Sequence, residues 1–222
     1  TWSVNYVGGS GAINYSNVLF VDPVYGNNTT ALPGRFDLPY QSISTASNTA
    51  STMGASSTSR VLIYIRKGTY STSIFLRDSV DFYCEPGVVF IGGTNINDLG
   101  VAVNSNFLGY AKFVNISVGS PLYRITGAST FVFQFDSIDQ TFGHTIRIEP
   151  SSGQATGVIE GNSLFCNTLG VAYSIAVRNA SFVTMNIKNF VRAYHSIFDI
   201  RNFSGRWTVN CPRLILDNGN FY

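Results

Sequence analysis

The chain has 222 residues, enough for one large domain or two small ones with ample material for a core. Apolar residues make up 45% and charged residues only 12%, about half the usual share for a soluble domain, while 17 Phe and 12 Tyr demand burial. That balance excludes a disordered chain and points to a β-rich protein whose polar surface is hydroxyl and amide rather than ionic.

The net charge is +2 and the basic residues stand singly, Arg66-Lys67 being the one adjacent pair, so there is no electrostatic footprint for nucleic acid. No apolar stretch reaches the ~18 residues of a membrane-spanning helix. Cys84, Cys166 and Cys211 lie far apart, as suits small buried side chains rather than a disulfide framework or zinc site. Neither a metal nor a cofactor is expected. The opening TWSVNYVGGSGAINYS lacks Met and the shape of a signal peptide, so the chain is expected to be a processed product or a piece of something longer.

In chain order, residues 1–17 read as a Gly-, Ser- and Asn-rich arm or linker, ahead of a domain spanning 18–222. NVLFVDP (17–23) reads as a strand stopped by Pro23, and 25–39 as a loop dense in turn formers. One helix is predicted over about 39–53, with Asp37 as N-cap and Tyr40, Ile43, Ala46, Ala50 and Met53 recurring at three- and four-residue steps before Gly54.

From residue 61 short apolar runs take over: VLIYI (61–65), SIFL (73–76), VDFYC (80–84) and VVFI (88–91), then KFVNISV (112–118), FVFQFDSI (131–138) and TIRIE (145–149). GVIE (157–160), YSIAVRN (173–179), FVTMNIKNF (182–190), SIFDIRNF (196–203) and RLILDN (213–218) complete the series. Asn or Asp recurs near the run ends, at Asn115, Asp136, Asn179, Asn189, Asn202 and Asn218. Irregular spacing of ~15 to 26 residues falls in the range of a stacked repeat. A parallel β-helix with turns of about 20 residues unites these features, with Asn at corners that need left-handed backbone and a helix across the open first turn.

DPVYGNN (22–28), GRFDLPYQSISTA (34–46), VLIYIRKGTY (61–70) and VDFYCEPGVVF (80–90) together resemble the opening of pectin-lyase-like right-handed parallel β-helices. Beyond residue 92 the likeness is to general turn character. The resemblance implies an all-β fold, a single-stranded right-handed parallel β-helix with an N-terminal capping α-helix. This module occurs in polysaccharide lyases and hydrolases and in surface spikes and fibres of phages and large DNA viruses, so it specifies fold rather than chemistry.

A lyase needs clustered acids, and a hydrolase needs two carboxylates ~5–9 Å apart. The chain has twelve acids, none adjacent, and the enzymatic reading rests on Glu149, Glu160, Asp199 and Arg201 meeting across turns. His144 and His195 have no Ser or Cys arrangement beside them that suggests a nucleophile. Sugar binding asks for less: outward aromatics and hydrogen-bonding side chains, here Tyr83, Tyr123, Tyr173 and Tyr194 with Arg124 and Arg192. The expectation is therefore a spike or fibre module at a virion surface or outside the cell. It is homotrimeric or part of a larger virion assembly, attaches to host surface polysaccharide, and neither inserts in a membrane nor binds nucleic acid. A lyase or hydrolase is the alternative.

Overall fold

The computed structural model describes residues 2–5, 12–117, 121–142, 145–166, 175–193, 197–200, 202 and 204–217. It begins with β1 (Trp2–Asn5), β2 (Ala12–Val21) and helix α1 (Ile43–Thr52). Turns of three short faces follow. The first is β3 (Arg60–Ile65), β4 (Gly68–Tyr70) and β5 (Ser73–Phe75). The second is β6 (Val80–Cys84), β7 (Val88–Ile91) and β8 (Asn95–Asn97), and the third β9 (Asn104–Gly109), β10 (Lys112–Ser117) and β11 (Tyr123–Ile125). In the next three turns one long strand bends across two faces: β12 (Thr130–Phe142) with β13 (Ile146–Ile148), β14 (Ala155–Cys166) with β15 (Ile175–Val177), and β16 (Ser181–Ala193) with β17 (Phe198–Asp199). β18 (Arg206–Asn210) and β19 (Leu214–Leu216) end the series.

Each face stacks on itself in parallel. β2, β3, β6, β9, β12, β14, β16 and β18 form the first. β4, β7, β10 and the far halves of β12, β14 and β16 form the second, ending in β19. β5, β8, β11, β13, β15 and β17 form the third. The chain is a parallel β-solenoid. Val61 sits beside Val80, as short turns would have it, but Gln134 sits beside Glu160, 26 residues on. The longer spacing is in place by the second turn, where Phe82 lies beside Phe107.

Register turns the inner face into columns. Leu19, Ile63, Phe82, Phe107, Phe133, Ile159, Met185 and Val209 follow one another along the axis. The Phe members lie with ring centroids 6.0 and 5.9 Å apart, and Tyr123 stacks on Phe133 at 4.1 Å. Where one turn carries Phe131 or Phe135, the next carries Gly157 or Gly161, and a Cβ there would drive into the ring. These glycines supply volume, not flexibility. Corners carry the left-handed backbone: Asn115, Asn179 and Asn202 have φ of 51°, 57° and 52°. Asn179 also donates its side-chain N–H to Pro150 O of the neighbouring turn at 2.9 Å. Asp136 and Asn189 do not adopt left-handed backbone, and Asn218 is outside the described residues.

Helix α1 starts four residues later than its pattern predicts. Tyr40 gives its N–H to Phe20 O and accepts from Asp22 N–H, both at 2.8 Å, so the edge of β2 holds it out of the helix. Ser42 is the N-cap, accepting from Thr45 N–H, while Asp37 pairs with Arg35 at 2.6 Å. Ile43, Ala46 and Ala50 are buried in the same core as Leu19 and Ile63. The arm is not plain linker either: β1 pairs antiparallel with Ala12–Tyr15. With Gly34 N–H donating to Val18 O at 2.7 Å, the outer edge of β2 finds partners along its length.

Gly161→Ala is expected to cost about 1–3 kcal/mol, measured by thermal or urea unfolding, and to cost less in a Phe135→Leu background. Equal costs in both backgrounds would show that ring clearance is not what the glycine provides. Asn179→Gly is expected to be milder than Asn179→Ala, which keeps a β-carbon in the left-handed region without the local hydrogen bonding of the amide, at about 1–2 kcal/mol. The reverse order in the same measurement would reject the corner argument.

Candidate functional site

The outward side of the first face also forms columns. One runs Phe20, Tyr64, Tyr83, Leu108, Gln134, Glu160, Asn186 and Asn210, changing from aromatic to polar halfway along the rod. In its polar half Gln134 Oε1 accepts from Gly109 N–H at 3.2 Å, and Gln134 Nε2 donates to Glu160 Oε2 at 2.9 Å. Asn210 Nδ2 donates to Asn186 Oδ1 at 2.8 Å. Turns sit about 4.8 Å apart, so the rod presents one hydrogen-bonding side chain per step.

A cleft of about 130 Å³ opens on this column, lined by Tyr110, Gln134, Phe135, Glu160, Asn162, Asn186 and Lys188, with Gly161 in its floor. Its shape follows from the register. Ile187 lies opposite Gly161 but Phe190 opposite Ser163, so β16 carries a bulge at Lys188-Asn189. A bulge re-aims side chains, and Lys188 lines the cleft. Tyr110 is half-exposed at the corner after β9. Beside the cleft Asn162 Nδ2 donates to Asp136 Oδ1 at 2.6 Å, and Lys112 Nζ lies 3.7 Å from Asp136 Oδ2. Glu160 and Asp136 thus share this region with Lys188 and Lys112, and its charges balance.

Of the four residues of the enzymatic reading, Glu160 lies in this cleft and Arg201 outside the described residues. Glu149 and Asp199 come together on the third face, where Arg178 bridges them, 3.3 Å from Glu149 Oε2 and hydrogen-bonded to Asp199 Oδ2. Arg147 Nε is 2.6 Å from Glu149 Oε1, and Arg124 Nη2 is 3.8 Å away. Asp199 is buried, and Arg178 takes up its carboxylate in place of water. Glu149 and Asp199 are thus the ionic joint of one cluster, and Glu160 belongs to another face.

Among the aromatic candidates, Tyr123 is a correction: it is fully buried between Phe131 and Phe133 and offers no face to a sugar. Inward alternation through β11 puts it there. Tyr83 is outward and half-buried, stacked on Tyr64 at 5.3 Å. Tyr173 and Tyr194, like His144 and His195, lie outside the described residues. Arg192 pairs with Asp217 at 2.8 Å and lies over the Phe165 ring at 5.2 Å. Tyr110, Gln134 and Asn186 escaped notice as a group because single-strand alternation says nothing about which turns stack. Among the described residues no three His, Cys, Asp or Glu side chains gather as metal ligands.

Burial raises the phenol pKa of Tyr64, Tyr70, Tyr83 and Tyr123, with a hydrogen bond to Glu85 adding to the effect at Tyr64. An unfolded phenol loses its proton near pH ~10 and these lose theirs higher, so their contribution to stability is intact below that value and falls as pH climbs through the folded values. Ultraviolet titration followed with circular dichroism should show them ionising late, with Tyr83→Phe removing one late step. Ionisation at the ordinary value in the still-folded protein would contradict this environment. Compared with known proteins, the chain matches no family model, no curated protein and no solved structure.

Proposed function

We propose that this chain is a right-handed β-helical module of a virion- or cell-surface spike or fibre, related to the pectin-lyase-like folds and capped by α1 at its first turn. It attaches to host surface polysaccharide and works as a homotrimer or within a larger assembly. The observation that carries the reading is the outward column from Tyr64 and Tyr83 to Gln134, Glu160, Asn186 and Asn210, with the Tyr110 cleft beside it. Aromatic faces and amides at a regular axial step suit the apolar face and hydroxyls of a saccharide chain laid along the rod. A low-charge, hydroxyl- and amide-rich surface suits lateral packing between sister rods. The alternative, a lyase or hydrolase, draws on Glu160 in the cleft, which would need a second carboxylate free to act. The neighbouring Asp136 is engaged by Asn162 and Lys112.

The test is a panel of bacterial and algal surface polysaccharides, read for both retention and chain length. Retained, uncut chains are expected, with Tyr110→Ala weakening retention about tenfold, the scale of an aromatic hot spot. Shortened chains would replace attachment by the enzymatic alternative. No retention of any polysaccharide would leave a shaft or capsid role instead.

A further inference from the structure

The arginines of the third face are unequally served. Arg124 and Arg147 lie directly opposite each other in the β11–β13 ladder, an arrangement of like charges that is unfavourable by itself. Arg178 extends the group, being paired with both Glu149 and Asp199. Among the described residues this makes three guanidinium groups to two carboxylates, and the third is left at the edge. Arg124 reaches Glu149 only at 3.8 Å, against 2.6 Å for Arg147, and its side chain is 43% exposed.

The half-served arginine opens onto a concave wall. Arg124 lines a cleft of about 330 Å³ with Asn97, Leu99, Gly100, Pro121 and Thr126. That size admits one sugar-sized body. The wall is rigid for a reason the fold makes plain. Asp98, 1% exposed, accepts hydrogen bonds from Gly100 N–H, Thr126 N–H, Gly127 N–H and the Thr126 and Ser129 hydroxyls. This holds Leu99 at φ 54°, with the residue 67% exposed. A leucine kept in left-handed backbone is strained, and such strain gathers at ligand clamps.

We propose that this cleft binds the anionic group of an acidic saccharide, a carboxylate or sulfate ester. The Arg124 fork takes the anion, and Leu99 and Pro121 flank the sugar body. Arg147 is a positioning residue: it lies closer to Glu149 Oε1 than Arg124 does, so that oxygen engages Arg124 only weakly. The proposal rests on the attachment reading and names the charge class that this second face selects, distinct from the charge-balanced Tyr110 cleft.

The full chain is run in affinity electrophoresis through gels containing dextran, dextran sulfate or polygalacturonate, with and without inorganic sulfate. Retardation by dextran sulfate or polygalacturonate but not by dextran is expected, with Arg124→Gln weakening it roughly tenfold, as for one charge-assisted hydrogen-bonding pair. Lys67→Gln removes the same charge from an exposed turn end and should leave retardation within twofold. Equal losses in the two variants would mean diffuse electrostatics and would overturn the site, as would retardation untouched by Arg124→Gln. Inorganic sulfate that binds as tightly as the polymer would reduce the cleft to a free-anion site and reject its saccharide. Asp98→Asn, with circular dichroism confirming the fold, should weaken retardation through the loop while Arg124 stays in place. Polysaccharide retention that depends on Tyr110 reports the first reading separately, so either can fail alone.

Discussion

Everything in this molecule hangs on the lateral register between one turn and the next. Once the backbone of β12 is hydrogen-bonded to β14, residue 133 must lie on 159 and residue 135 on 161. Inner side chains then have no freedom to interdigitate as they do between helices; each is confined to a slot about 4.8 Å tall. Two solutions are visible. Flat rings stack, as in Phe90 on Phe113 with planes 14° apart, or a bulky ring is followed by a missing side chain, as at Phe131–Gly157 and Phe135–Gly161. The interior is close-packed because register makes volume a property of columns rather than of single positions.

The same register decides what the surface can do. Outward residues inherit the columns without the volume limit, so polarity is free to change along the axis, and on the first face it does so after Leu108. Where the register slips, at Lys188-Asn189, the ladder loses its regularity and gains a cleft. On the third face no slip occurs, and Arg124 and Arg147 are held in line. Glu149 and Asp199 keep that line from repelling itself apart.

Much of the fold was legible in the chain because strands in a solenoid are local events. VDFYC and VVFI match β6 and β7 residue for residue, and Asn115, Asn179 and Asn202 mark left-handed corners as their chemistry suggests. β8, β9 and β18 went unread because Asn, Ser, Thr and Arg interrupt their apolar residues, leaving too few together to make a run. The helix start was misplaced because the pattern cannot tell that the backbone of Tyr40 is claimed by β2. The candidate site was the least legible. Alternation says that Glu160 faces out, but not that Gln134 and Asn186 lie directly above and below it.

Acids show why counting residue types misleads in a fold of this kind. The chain has twelve, and several are consumed by architecture. Asp98 ties down a loop, and Asp22 accepts from Val24 and Tyr25 N–H while pairing with Arg66 at 3.0 Å. Asp81, with no exposed surface, takes both arms of Arg60 and the hydroxyl of Tyr15. Such carboxylates persist in the interior only because every one is met by donors or a guanidinium. Each also settles a corner or edge that the ladder alone would leave open. Glu160 and Asp136, half-buried on the outer wall, are met by amides of the neighbouring turns, and Asp136 by Lys112 as well. A polar group is therefore placed at the surface of this rod by the turn above and the turn below, and its chemistry has to be read down the column rather than along the chain.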